Sequence, residues 1–88
     1  MLQRELVILN KLGLHARAAA KFVKCASQFD CEIHVGKDAM TVNGKSIIGV
    51  LLLAAPQGSR IMVIADGRDE ESAIAALSEL VTGRFGED

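Results

Sequence analysis

The sequence predicts a small α+β domain in which an antiparallel sheet carries helices on one face. Three observations lead there. The 88 residues suffice for one modest core and no second domain. Hydrophobic patterns run strand, helix, strand, strand, a short element of undecided type, strand, helix. No internal repeat or linker interrupts that order.

The elements follow in turn. Residues 4–9 (RELVIL) form a strand ended by Asn10 to Gly13, and apolar residues on both faces from Leu6 onward predict a central or well-covered position. From Ala16 to Gln28 the period becomes helical. Ala16, Ala19, Ala20, Val23 and Ala26 make the apolar stripe with Phe22 adding bulk, while Arg17, Lys21, Lys24 and Gln28 line the other side. The run CEIHVGK alternates as a half-buried strand, with Ile33 and Val35 inward and His34 outward, where it reads as a surface residue. Gly36, Lys37 and Asp38 form a turn, and Met40 to Val42 return as a short strand.

Asn43-Gly44 then offers a hairpin signal, whereas Ser46 suits the N-cap of a two-turn helix from Ile47 to Leu53, stopped by Ala55-Pro56 and Gly58. Periodicity does not choose between them. In both cases Ile47, Ile48, Leu51 and Leu52 exceed what so short an element can bury, which predicts a partner patch. Arg60 to Ala65 is the last strand. Asp69 is expected to cap a helix with Glu70 and Glu71 in its first turn; Ala73, Ile74, Leu77, Leu80 and Val81 face inward, and Glu71, Ser78, Glu79 and Thr82 outward. Gly83 ends that helix, Phe85 packs back, and Glu87 and Asp88 fray.

Composition excludes several functions. Three aromatic residues, with no Trp or Tyr, cannot build base-stacking platforms, and a net charge of −1 speaks against nucleic acid as a partner. Residues 1–45 nevertheless carry +3 and residues 46–88 carry −4. Cys25 and Cys31 have no metal-type spacing and are expected as free thiols in a reducing cytoplasm. The start has no signal-peptide core, and the longest apolar run, Val50 to Ala55, is too short to cross a bilayer, so no membrane insertion is expected. A cytoplasmic protein follows.

The chemistry concentrates in NKLGLHARAAA, residues 10–20. His15 falls where the Gly13 break gives way to helix, with no Ser, Thr, Asp or Asn at the junction to satisfy the first N–H groups. Those groups and the positive end of the helix dipole are open to an anion, and Arg17 supplies a second oxyanion donor. The same field favours a neutral, nucleophilic imidazole before attack and the dianionic phosphoryl group after it. GKS at residues 44–46 lacks the preceding glycine of a P-loop, because Ala39 stands there. No paired acid and base, no metal set and no Ser/His/Asp order can be assembled, so turnover catalysis has little support.

GLHAR around His15, NGKSIIG around Ser46 and the IADG turn before the last helix resemble HPr, the histidine phosphocarrier of the bacterial phosphoenolpyruvate-dependent phosphotransferase system, and its nitrogen-branch relative NPr. The resemblance covers essentially the whole chain. It implies an open-faced β-sandwich, βαββαβα, a four-stranded antiparallel sheet covered by three helices, and so makes Ile47 to Leu53 a helix. It further implies that His15 takes a phosphoryl group on Nδ1 from phosphorylated enzyme I and hands it to IIA domains, with Arg17 and the N–H groups of Ala16 and Arg17 steadying it.

The implied partner face combines Ala20, Lys24, Ile47, Ile48 and Leu51. Ser46 matches the serine that a dedicated HPr kinase/phosphorylase modifies in some bacteria. A carrier of this kind is expected to be a monomer, not an enzyme, and to need no cofactor or metal. Ala18 stands where the family usually has proline and adds an N–H there; Gly49 stands where lysine is frequent. The alternative is an HPr-like regulator acting through Ser46 and the Ile47 patch without phosphoryl relay, but such a protein would be free to lose His15 and Arg17. Sugar and nitrogen branches stay open.

Overall fold

A computed structural model describes residues 1–87; Asp88, expected to fray, lies outside the described residues. The chain forms β1 (Leu2–Val7), α1 (Ala16–Ala26), β2 (Glu32–Lys37), β3 (Met40–Asn43), α2 (Ile47–Leu52), β4 (Arg60–Asp66) and α3 (Glu70–Thr82), then a single turn over Arg84–Gly86. The strands form one antiparallel sheet in the order β1-β4-β2-β3. Alternation decides its faces. Leu6, Ile33, Val35, Ile61, Val63 and Ala65 point into the core, whereas Gln3, Glu5, Val7, Glu32, His34 and Arg60 are exposed. Helix α3 packs on β1 and β4, α1 on α2 and α3, and α2 on β3. The result is an open-faced β-sandwich.

Several expectations change. Strand β1 lies at the sheet edge rather than the centre. Leu6 and Ile8 do face inward, but Val7 and Leu9 remain 38% and 36% exposed, so apolar residues on both faces signified no second cover. The turn expected at Gly36 to Asp38 falls one residue later: Lys37 still pairs with Met40, and Asp38 takes the left-handed conformation at φ 55°. On α1 the buried face is Ala18, Ala19, Phe22 and Ala26, and Ala16 and Ala20 are exposed. The bulky Phe22 sets that rotation, because its ring claims the core while alanines can face either way.

On α3, Ser78 is buried and Leu80 only half-buried, the reverse of the expected stripe, because the Arg4 guanidinium reaches across from β1 to donate to Ser78 Oγ at 3.1 Å. Asp69 begins α3 but makes no side-chain cap. Its carboxylate instead accepts the backbone N–H groups of Asp30 and Cys31, each at 2.9 Å, tying the loop between α1 and β2 to the start of α3. Those bonds, the Asp30 N–H first, hold its carboxyl below the ordinary aspartate range.

The undecided element is the helix α2, and Ser46 is its N-cap, accepting from Gly49 N–H at 3.1 Å. Gly13 sets the approach to α1. It has φ +69°, and a Cβ there would lie 2.5 Å from the Ala55 carbonyl oxygen, the same oxygen that accepts Leu14 N–H at 2.8 Å. Only glycine lets these two loops lie this close.

Candidate functional site

His15 is the N-cap residue of α1, extended at φ −75° and ψ 177°, with no side-chain cap beneath it. Its carbonyl accepts Ala19 N–H at 2.8 Å. The N–H groups of Ala16, Arg17 and Ala18 precede the first intrahelical bond and have no carbonyl of their own helix to meet. Ala16 and Arg17 are exposed and Ala18 is wholly buried. No acidic residue occupies this first turn to neutralise the dipole. Expectation and structure agree here.

The C-terminal segment supplies what the sequence reading missed. His15 Nε2 lies 2.8 Å and 3.0 Å from the two carboxylate oxygens of Glu87, with side chains only 26% and 20% exposed. Glu87 does not fray. Asn10 Nδ2 donates to Glu87 Oε1 at 2.8 Å and to Gly13 O at 2.7 Å. Asn10 is wholly buried, and its Oδ1 has no hydrogen-bond partner among the described residues. Both acceptors demand the amide nitrogen, so the oxygen is left over. Asn10, and next His15, hold the Glu87 carboxyl below the ordinary glutamate range.

The segment reaches the site through a left-handed turn. Arg84, Phe85 and Gly86 have φ values of 59°, 54° and 74°, a conformation that two non-glycine residues hold only against a cost. Phe85 offsets it by burying its ring to 1% exposure in the core. Lys21 Nζ donates to the Phe85 carbonyl at 2.6 Å, so this lysine of the basic stripe is spent on the tail. A signal for the anchor was present in the lone Phe85 beyond Gly83. Nothing local in the sequence linked Glu87 to a histidine 72 positions away.

The other expected residues fall on adjacent elements. Ala20 and Lys24 are exposed on α1. Ile47, Ile48, Leu51 and Leu52 are 42%, 69%, 37% and 62% exposed on α2, which packs against α1, and Leu12 is 70% exposed in the loop before His15. Arg17 is exposed and forms no ion pair among the described residues. Ser46 is half-buried at its cap. Cys25 and Cys31 are free, and burial pushes both thiols up, which makes neither a ready nucleophile. His34 is exposed on the open face of the sheet, away from this constellation.

Fold and site together define a small open-faced sandwich that presents one histidine at an uncapped helix start beside an apolar helix. Comparison with known proteins narrows the class. The family model described as the PTS HPr component phosphorylation site matches residues 2–83. The phosphocarrier protein HPr of Neisseria meningitidis is 52% identical over 87 residues, covering 99% of this chain and 98% of that protein. That of Xylella fastidiosa is 53% identical over 88 residues, covering 100% and 99%. The crystal structure of HPr-C-His from Thermoanaerobacter tengcongensis superposes with a TM-score of 0.96 at 48% identity, covering 100% of this chain and 99% of that one. The chain belongs to the HPr phosphocarrier family of the phosphotransferase system. No helix among the described residues is long and apolar enough to cross a membrane.

Proposed function

We propose that His15 is the phosphoryl acceptor of this carrier, taking the group on Nδ1 from phosphorylated enzyme I and passing it to IIA domains in the cytoplasm. The observation that carries the reading is the state of the ring. Nε2 is engaged by Glu87, and Nδ1 has no hydrogen bond among the described residues, at the start of a helix whose first N–H groups are unclaimed. The N–H groups of the exposed residues Ala16 and Arg17, with the Arg17 guanidinium, meet the phosphoryl oxygens, and the dipole favours their charge.

The surroundings suit transfer between proteins. The His15 side chain is 26% exposed, and a partner's own phosphorylated side chain must come within bonding distance of it. Ala20, Lys24, Ile47, Ile48 and Leu51 form the docking surface, with apolar anchors on α2 and a basic rim on α1 that complements acidic partners. The protein acts as a monomer on this reading. Phosphorylation of Ser46 by an HPr kinase/phosphorylase regulates it, since that group would add about −1.5 to −2 charge beside Ile47.

The test is incubation with phosphoenolpyruvate and enzyme I. A gain of one acid-labile phosphoryl mass, absent in His15→Ala, is expected. An unmodified mass in the presence of an active donor refutes the reading. Ile48→Glu separates docking from chemistry: Ile48 is 69% exposed, so stability should stay within roughly 0.5 kcal/mol of wild type. Transfer should meanwhile fall about tenfold if Ile48 is an anchor.

A further inference from the structure

The Glu87 clasp is built at a cost that packing alone does not explain. Burial of Phe85 offsets the left-handed turn, but the clasp also leaves a wholly buried Asn10 Oδ1 without a partner among the described residues. Phe85 would anchor the tail without either Asn10 or Glu87. What the clasp adds is a carboxylate set against the His15 ring.

Its action follows from donor counting. Glu87 Oε1 already accepts an N–H from Asn10, and an ionised carboxylate has no proton to give. The 2.8 Å contact to Nε2 is therefore a hydrogen bond only when Nε2 carries the hydrogen. In the neutral imidazole the other nitrogen must then hold the lone pair. Asn10 cannot reverse its amide without setting Oδ1 against two acceptors, Gly13 O and Glu87 Oε1, so the orientation passes from buried backbone to carboxylate to ring.

We infer that Glu87 is a positioning residue for His15: held by Asn10, its carboxylate fixes the ring as the Nε2–H tautomer and leaves the lone pair on Nδ1. This rests on the reading of His15 as the phosphoryl acceptor. In the uptake step the Nδ1 lone pair forms the N–P bond while the donor's bond to phosphorus breaks and its electron pair leaves with the donor atom. No proton has to leave His15. The phosphorylated ring keeps its Nε2 hydrogen as an imidazolium, and the Glu87 carboxylate beside it stabilises that charge. In the release step the N–P bond breaks, its pair returns to Nδ1, and the same neutral tautomer is restored. One arrangement serves both directions of the relay.

The chain contains only two histidines, so His34 on the open face is an internal reference. The experiment records 15N chemical shifts of both imidazoles in the unphosphorylated full chain, at a pH where both are neutral, for wild type, Glu87→Ala and Glu87→Gln. Wild-type His15 should be the Nε2–H tautomer. Glu87→Ala should move it toward the mixed population of a free ring, with His34 and the backbone spectrum unchanged; Glu87→Gln, which can still accept through its amide oxygen, should fall between.

Phosphoryl uptake from enzyme I should slow roughly tenfold in Glu87→Ala, by analogy with the low end for removing a carboxylate that orients a metal-ligating histidine. Nδ1–H in wild-type His15, or a Glu87→Ala ring spectrum identical to wild type, overturns the inference. The tautomer is read without any phosphoryl donor, so it decides the role of Glu87 even if His15 proves not to be the acceptor.

Discussion

Phe85→Ala tests whether the C-terminal segment is part of the folded unit or an appendage. The ring is 1% exposed in the core. Truncating a fully buried phenyl typically costs about 3–5 kcal/mol. Against that, a tail freed to relax recovers roughly 1 kcal/mol for each of the left-handed residues Arg84 and Phe85. The net loss should be about 1–3 kcal/mol, a large fraction for a small domain. With a urea dependence on the order of 1.5 kcal/mol per molar, the midpoint should fall by about 0.7–2 M.

Urea denaturation followed by far-UV circular dichroism measures this, and the His15 imidazole spectrum should change with it, since Glu87 is carried by the same turn. Phe85→Leu, which retains most of the apolar volume, should lose far less. A midpoint shift below roughly 0.3 M with an unaltered His15 spectrum would refute the claim that Phe85 anchors the tail to the site.

Other perturbations bear on particular contacts. Ser46→Ala removes the α2 cap and should cost about 1 kcal/mol, read as a fall of roughly 4–8 °C in Tm, whereas Ser46→Asp retains a cap oxygen and should lose less. Gly13→Ala places a methyl 2.5 Å from the Ala55 carbonyl oxygen in a left-handed residue and should destabilise by about 2 kcal/mol or more in the same urea assay. Asp69 has a folded-state carboxyl held below its ordinary value by the Asp30 and Cys31 N–H groups, so its contribution is complete above the unfolded-state value of about 4 and is lost as pH falls through the lower folded value. Tm measured from neutral pH down to about pH 2 should therefore show an acid decline that is shallower in Asp69→Asn.

Much of this was legible in residue order because local physics decided it. The alternation of Ile33 and Val35 against Glu32 and His34 survives folding, since a half-buried strand has one wet face. The bare start of α1 was equally visible, because a missing cap residue is a local fact. Six apolar-rich residues at Ile47–Leu52 carried no period, and only the resemblance to HPr made them a helix.

Tertiary effects escaped for identifiable reasons. Asp69 had the type and position of a cap, but two backbone N–H groups from a distant loop outcompeted its own helix. Ser78 was expected outside because an arginine on another strand cannot be seen in a helix pattern. Glu87, Asn10 and Lys21 form the least legible part of the site. Each is an ordinary polar residue until a left-handed turn brings the chain end back to His15.

The most direct measurement identifies which ring nitrogen receives the phosphorus. The chain, labelled with 15N-histidine, is phosphorylated by enzyme I and phosphoenolpyruvate, and the 15N–31P coupling is recorded. On the proposed reading, with the Glu87 carboxylate on Nε2 and no side-chain cap at the helix start, the bond is expected to form at Nδ1 of His15. Coupling to Nε2, phosphorylation at His34, or no phosphorylation by an active donor would contradict it.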